Sequence, residues 1–216
     1  MKKSLSLVLI VSTLASCWYV FSYLAVSDPS IKTAEERSAK RLKNSLITHK
    51  NCNSCHTPEG EDFIVTNGVL AGQGFLYLKK QLTDLSAGVR TIKNINPVNH
   101  RLSAEDIIKQ ADIYAIQKRY VNVSEGSEAG KLLYHNGDDN RLIPACMACH
   151  VKNGYGIPTA TLPALSGQTP EYIINQLKSF RNGSRKNDVD HMMQKIAVRL
   201  SDEDISALAL YISTLN

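Results

Sequence analysis

Apolar side chains recur at helical spacing in four separate segments of this chain. Leu78, Leu82 and Leu85 fall on one face of a helix predicted over 75–86, and Ile173, Ile174 and Leu177 do the same over 171–181. Ile107, Ala111 and Tyr114 form the inward stripe of a helix that opens at Ser103. Ile205, Leu208, Ile212 and Leu215 form the stripe of one that opens at Ser201. Each serine is followed three residues later by an aspartate. The hydroxyl can cap the free N–H groups there, and the acid suits the positive helix end. No long alternation of apolar and polar residues predicts a sheet, so the expected fold is all-α.

The N-terminus has a different pattern. Lys2 and Lys3 precede an uncharged run from Leu5 to Val26. As a helix this run spans roughly 30 Å, about the thickness of a bilayer core. It predicts one transmembrane helix within residues 1–27, with the lysines on the cytoplasmic side and the rest of the chain exported. A lipoprotein signal acylated at Cys17 of Leu14-Ala15-Ser16-Cys17 and a cleaved signal peptide are the alternatives. After Asp28-Pro29 the chain turns polar, and Thr33 with Glu36 makes a capping-box pattern.

From there the chain repeats. Leu70-Ala71-Gly72-Gln73 parallels Leu165-Ser166-Gly167-Gln168, with Tyr77 against Tyr172, Gln81 against Gln176 and Arg90 against Arg185. Leu102-Ser103-Ala104-Glu105-Asp106-Ile107 parallels Leu200-Ser201-Asp202-Glu203-Asp204-Ile205. A repeat of this length is a duplicated domain. The division predicts an anchor at 1–27, a first domain at 28–121 and a second at 122–216, with a linker near Val121–Ser127.

Each half also carries the pentapeptide C-x-x-C-H: Cys52-Asn53-Ser54-Cys55-His56 and Cys146-Met147-Ala148-Cys149-His150. This is the attachment signature of a c-type haem, the two thiols adding to the haem vinyl groups and the adjacent histidine reaching the iron. Two covalently attached haem c groups follow, with His56 and His150 as the histidine ligands. Zinc would need the two pairs to converge on one metal, and a redox dithiol would need a βαβ context. Four of the five cysteines lie in the motifs, which leaves no pair for a structural disulfide. The formal net charge of +5 includes Lys2 and Lys3, and no basic stripe argues for nucleic acid. For the sixth iron ligand in the second half, Met192 and Met193 stand in a loop before the last helix. A thioether there raises the reduction potential and closes the iron to small ligands.

These motifs, together with Pro144-Ala145-Cys146 and Arg90-Thr91, resemble the diheme cytochrome c4 family, a tandem pair of class I cytochrome c domains, over about residues 40–215. The resemblance implies a bacterial protein whose domains face the periplasm. It implies one-electron transfer from a quinol-oxidising complex to a terminal oxidase, here tethered to the inner membrane, as a free carrier or a complex subunit. It places the distal methionine seven residues before the Leu-Ser pair, which selects Met193. The same position in the first half is Ile95, which cannot ligate iron. His100 is the candidate there, with Asn99 and Lys93 behind it, His49 on the wrong side, and a vacant iron as the alternative. The family's proximal proline carbonyl is matched by Pro163, but its counterpart is Gly68, which implies a less fixed loop. Arg90 and Arg185 are candidates to pair with haem propionates. His135 and His191 read as surface residues. An enzyme or gas sensor using an open first iron is the rival reading. No acid–base or thiolate partner for such chemistry stands out, so electron transfer without substrate chemistry is the expectation.

Overall fold

The computed structural model describes residues 50–57, 65–92, 101–120 and 125–216. All of them belong to one compact unit, His49–Asn216. The run Leu5–Val26, Cys17, the Thr33–Glu36 pattern, His49, Lys93, Ile95, Asn99 and His100 lie outside the described residues. Among the described residues no helix is long and apolar enough to cross a membrane.

The described fold is helical. In chain order it holds α1 (Lys50–His56), α2 (Phe75–Ser86), α3 (Ala104–Ala115), α4 (Glu128–Asn136), α5 (Met147–His150), α6 (Pro170–Arg181), α7 (Met192–Ala197) and α8 (Asp202–Ser213). Two isolated β-bridges, Asp138 with Ile143 and Ile157 with Leu162, close loops around α5. The sequence signals for helix starts are used as expected. Ser103 accepts from Asp106 N, and Ser201 forms a full capping box with Asp204. Thr169 caps α6 in the same way, with Pro170 in its first turn, where a missing N–H costs nothing.

Packing in the second half centres on α8. One face of α8 meets α4 and another meets α6, burying Leu133, Tyr134, Ile173, Ile205, Leu208 and Ile212. The α4–α8 crossing is close because Gly130 lies against the backbone of Ala207: a Cβ at 130 would stand 2.0 Å from that carbonyl oxygen. The first half pairs α2 with α3 around Leu78, Ala111 and Tyr114. On α2 the buried neighbour of Leu78 is Gln81, while Leu82 and Leu85 are half-buried. The apolar stripe is deepest at Leu78 as expected, and Gln81 is buried beside it where α2 meets the polar side of the other half.

The two halves join through the repeated Gly-Gln turns. Gly72 (φ 73°) and Gly167 (φ 79°) both adopt the left-handed region, where glycine carries no Cβ penalty. The Arg119–Tyr120 strand of backbone passes against both. A Cβ on Gly72 would meet Arg119 Cα at 3.1 Å, and one on Gly167 would meet Tyr120 O at 2.4 Å. Arg119 donates to Gly72 O at 2.7 Å and lies over the Tyr155 ring at 4.3 Å, so the end of the first half is stitched to the second.

Candidate haem sites

In the second half α5 is a single turn, with Cys146 at its N-cap, that carries Cys149 and His150 on the same side as that cysteine. His150 is buried, and its Nδ1 lies 3.0 Å from Pro163 O. A carbonyl only accepts, so Nδ1 carries the proton and Nε2 keeps its lone pair. Burial pushes the His150 pKa down, which favours the same neutral ring. Tyr134 on α4 donates to Val151 O at 2.6 Å and fixes the chain just past the histidine.

Cys146, Cys149, His150, Pro163, Met192 and Met193 line one cavity of about 200 Å³. Met193 does not sit in a loop. It is the second residue of α7, a short helix entered through two left-handed residues, Asp190 (φ 52°) and His191 (φ 55°). That sharp entry turns the start of α7 toward the cavity. Met192 is 44% exposed and Met193 is half-buried, which separates the two methionines by access to solvent.

The first half repeats the proximal arrangement. His56 Nδ1 lies 2.7 Å from Gly68 O, so Gly68 takes the place that Pro163 has in the other half. Asn67 donates to Cys55 O at 3.0 Å, and Tyr114 on α3 donates to Asn53 inside the motif at 2.7 Å. The loop is not looser for having glycine. A Cβ at 68 would stand 2.9 Å from the Tyr172 ring of the second half, so the missing side chain makes room for that ring. Gln168 and Thr169 then bind Val69 and Val65 on either side. Burial pushes the thiol of Cys52 up, and that of Cys146 up to about 11.

A protein-family model described as cytochrome c matches residues 127–216. Cytochrome c4 of Pseudomonas aeruginosa is 38% identical over 168 residues, covering 76% of this chain and 84% of its own length. The crystal structure of reduced recombinant cytochrome c4 from Pseudomonas stutzeri superposes with a TM-score of 0.75 at 33% identity, over 81% of this chain and 98% of that one. The chain belongs to the cytochrome c4 family. A thiosulfate dehydrogenase electron acceptor of Stutzerimonas stutzeri is also 33% identical, over 76% of this chain and 78% of its own length.

Members of this family are diheme electron-transfer cytochromes with covalently attached haem, and the residues of the second half fit that group. Two thiols, a neutral imidazole and a thioether converge on one largely apolar cavity. Cys52 and Cys55 repeat the thiol pair beside His56. Each haem, when bound, supplies an iron that takes up and releases one electron. Cys52, Cys55, Cys146 and Cys149 would hold the haems through their thiols, and His56, His150 and a methionine would offer donors to the iron beside an apolar pocket wall.

Arg90 and Arg185 are placed between the halves. Arg185 is buried and donates to Gln176 Oε1 (2.5 Å), Tyr77 OH (3.1 Å), Gln81 Oε1 (3.2 Å) and Asn187 Oδ1 (3.2 Å). Arg90 donates to the same two glutamines, Gln81 at 2.9 Å and Gln176 at 3.2 Å. Asn187 reaches Asp84, and Lys80 reaches both Asp84 and the Asn187 carbonyl. Arg185, Tyr77 and Gln81 also line the haem cavity, which puts this network at its wall. The arginine cation beside Tyr77 holds that phenol below its usual range, against the effect of burial.

His135 is not a surface residue. It is half-buried between α4 and α8, with Nε2 2.7 Å from Tyr211 OH, Nδ1 3.0 Å from Met147 Sδ, and its ring edge-on to Tyr134. It follows Tyr134 on the face of α4 that meets α8, and the polar ring is tolerated there because both nitrogens have partners. His191 is exposed, as expected, and pairs with Gln194. Sequence reasoning noticed Gln73, Gln168, Gln81 and Gln176 only as repeats. The signal was their polarity: a polar residue at the same place in both halves is suited to join them, and Gln73, Gln81 and Gln168 are buried at that join while Gln176 is half-buried.

Proposed function

We propose that this cytochrome is a membrane-tethered periplasmic carrier that passes single electrons between redox enzymes without making or breaking a substrate bond. His150 and Met193 are the axial ligands of the second haem, and His56 is the proximal ligand of the first, with His100 opposite it. The thioethers form at Cys52, Cys55, Cys146 and Cys149. Residues 28–121 and 122–216 are the two domains, and residues 1–27 hold them at the inner membrane. Arg185 at the cavity wall, and Arg90 bonded to Gln81 and Gln176 of that wall, steady the charge of the propionates. The observation that carries the reading is the convergence of Cys146, Cys149, His150 and Met193 on one cavity. Such a pocket offers two thiols for covalent attachment and a histidine and a methionine as the two protein donors to iron, the set of an electron-transfer haem. Electrons arrive from a quinol-oxidising complex and leave to a terminal oxidase. The resemblance to a thiosulfate dehydrogenase electron acceptor supports a sulfur-oxidising enzyme as a second donor.

Electron paramagnetic resonance of the oxidised holoprotein, with carbon monoxide binding to the reduced form, tests this reading. A carrier gives low-spin signals from both haems, one His/Met and one bis-His that is lost in His100→Ala, and does not bind the gas. Rapid carbon monoxide binding at the first haem overturns it in favour of a gas-binding or enzymatic centre. Recovery in the alkaline-washed membrane fraction tests the anchor, and its loss on Cys17→Ala would instead assign a lipid.

A further inference from the structure

Gln73 and Gln168 are buried at 5% and 3% exposure and hold the backbone of the opposite half by identical paired bonds. Gln168 Oε1 accepts from Val69 N at 3.0 Å while its Nε2 donates to Val69 O at 2.7 Å. Gln73 Oε1 accepts from Ala164 N at 3.0 Å while its Nε2 donates to Ala164 O at 2.6 Å. The backbone N–H and C=O leave one orientation for each amide.

The N–H of Val69 and the C=O of Gly68 belong to one peptide group, and that carbonyl accepts from His56 Nδ1. The N–H of Ala164 and the C=O of Pro163 likewise share one peptide, which accepts from His150 Nδ1. Each proximal histidine therefore starts a chain that runs through a single peptide and ends on a glutamine oxygen from the other half. A peptide whose N–H is donated carries more charge on its oxygen, so the chain strengthens the histidine hydrogen bond cooperatively. A stronger bond at the outer ring nitrogen makes the ligating nitrogen more basic and favours ferric over ferrous iron.

We propose that Gln168 is a positioning residue for the first haem and Gln73 for the second, each lowering the potential of the haem bound in the opposite half. The proposal rests on His56 and His150 as axial ligands. It makes the duplication functional: docking the halves sets both potentials, and neither half alone has its own tuning group.

The test is spectropotentiometric titration of the full holoprotein and of Gln168→Met and Gln73→Met, which keep the side-chain length but remove both bonds. The second haem is recognised by the signature that Met193→Ala abolishes. Gln168→Met is expected to raise the first haem's potential with the second unmoved, and Gln73→Met to do the reverse. Each effect is a roughly tenfold change in that haem's oxidised-to-reduced ratio at fixed potential, or ~59 mV for one electron. A variant that does not fold is replaced by its asparagine counterpart, one methylene short of the backbone it must reach. If the parent protein shows no histidine-ligated signal, the ligand assignment fails. If it does, and each variant moves the haem of its own half, both haems equally, or neither, the cross-domain tuning is wrong.

Discussion

Replacing Gly130 by alanine sets two physical effects against each other. Alanine is the better helix former by about 1 kcal/mol, so propensity alone predicts a more stable α4. Packing predicts the opposite. The new Cβ would stand 2.0 Å from Ala207 O, 2.5 Å from Ala207 C and 3.0 Å from Leu208 N, where ordinary contact begins near 3.4 Å. All three atoms are backbone of α8 and cannot rotate away, so the two helices must separate by an ångström or more. Leu133, Tyr134, Leu208 and Ile212 are buried in that core. Burial of each is worth about 2 kcal/mol, and a gap of that size forfeits roughly a quarter to a half of their contacts, so the cost is about 2–4 kcal/mol. After the propensity gain, the net loss is about 2 kcal/mol, or roughly 4–8 °C in the melting temperature of a compact unit of this size. Circular dichroism melts of the holoprotein measure it, with Gly126→Ala as the control. A Cβ there meets only the Thr214 side chain, at 3.3 Å. An unchanged or higher melting temperature for Gly130→Ala would refute the claim that backbone contact, not helix propensity, governs this position.

Three further outcomes follow from the sites. Met193→Ala is expected to lower the second haem's potential and open it to carbon monoxide, while Met192→Ala leaves both properties unchanged; equal effects would remove the distinction drawn from their exposure. Tyr77→Phe takes an acceptor from buried Arg185 and should cost about 1–3 kcal/mol, read as a lower denaturant midpoint; a change within error would show that the guanidinium finds a replacement partner. Asp204 is held below the usual carboxylate range, chiefly by Arg141. Its folded pKa lies below its unfolded one, so its contribution is complete above about pH 4 and is lost as pH falls toward the folded value. Arg141→Gln should therefore lose stability at neutral pH and show a shallower decline below about pH 4. Parallel acid melts of parent and variant would contradict this.

Much of the local structure is legible in the chain because its signals act over a few residues. Ser103 and Ser201 cap helices through N–H groups three positions away, and the C-x-x-C-H spacing fits one helical turn. The stripe Ile205, Leu208 and Ile212 marks the buried face of α8 correctly, since a helix presents such positions together wherever it packs. On α2 the stripe finds Leu78 but not Gln81, which is buried because the partner surface there is polar. Local spacing tells which residues share a face, not what that face meets. His135 was misjudged for the same reason, since only the approach of α8 supplies Tyr211 as its partner.

By itself, then, the sequence determined two haem attachment sites in two copies of one helical domain, and inequality between them where Ile95 and Gly68 replace methionine and proline. Only the tertiary structure decided what that inequality means at Gly68. The glycine makes space for Tyr172, and a glutamine from the opposite half holds each proximal loop, Gln168 at Val69 and Gln73 at Ala164. The physical reason is range. Caps, motifs and stripes are read over one or two helical turns. The bonds from Gln73 and Gln168 join residues 91 and 99 positions apart, and docking of the halves brings them together.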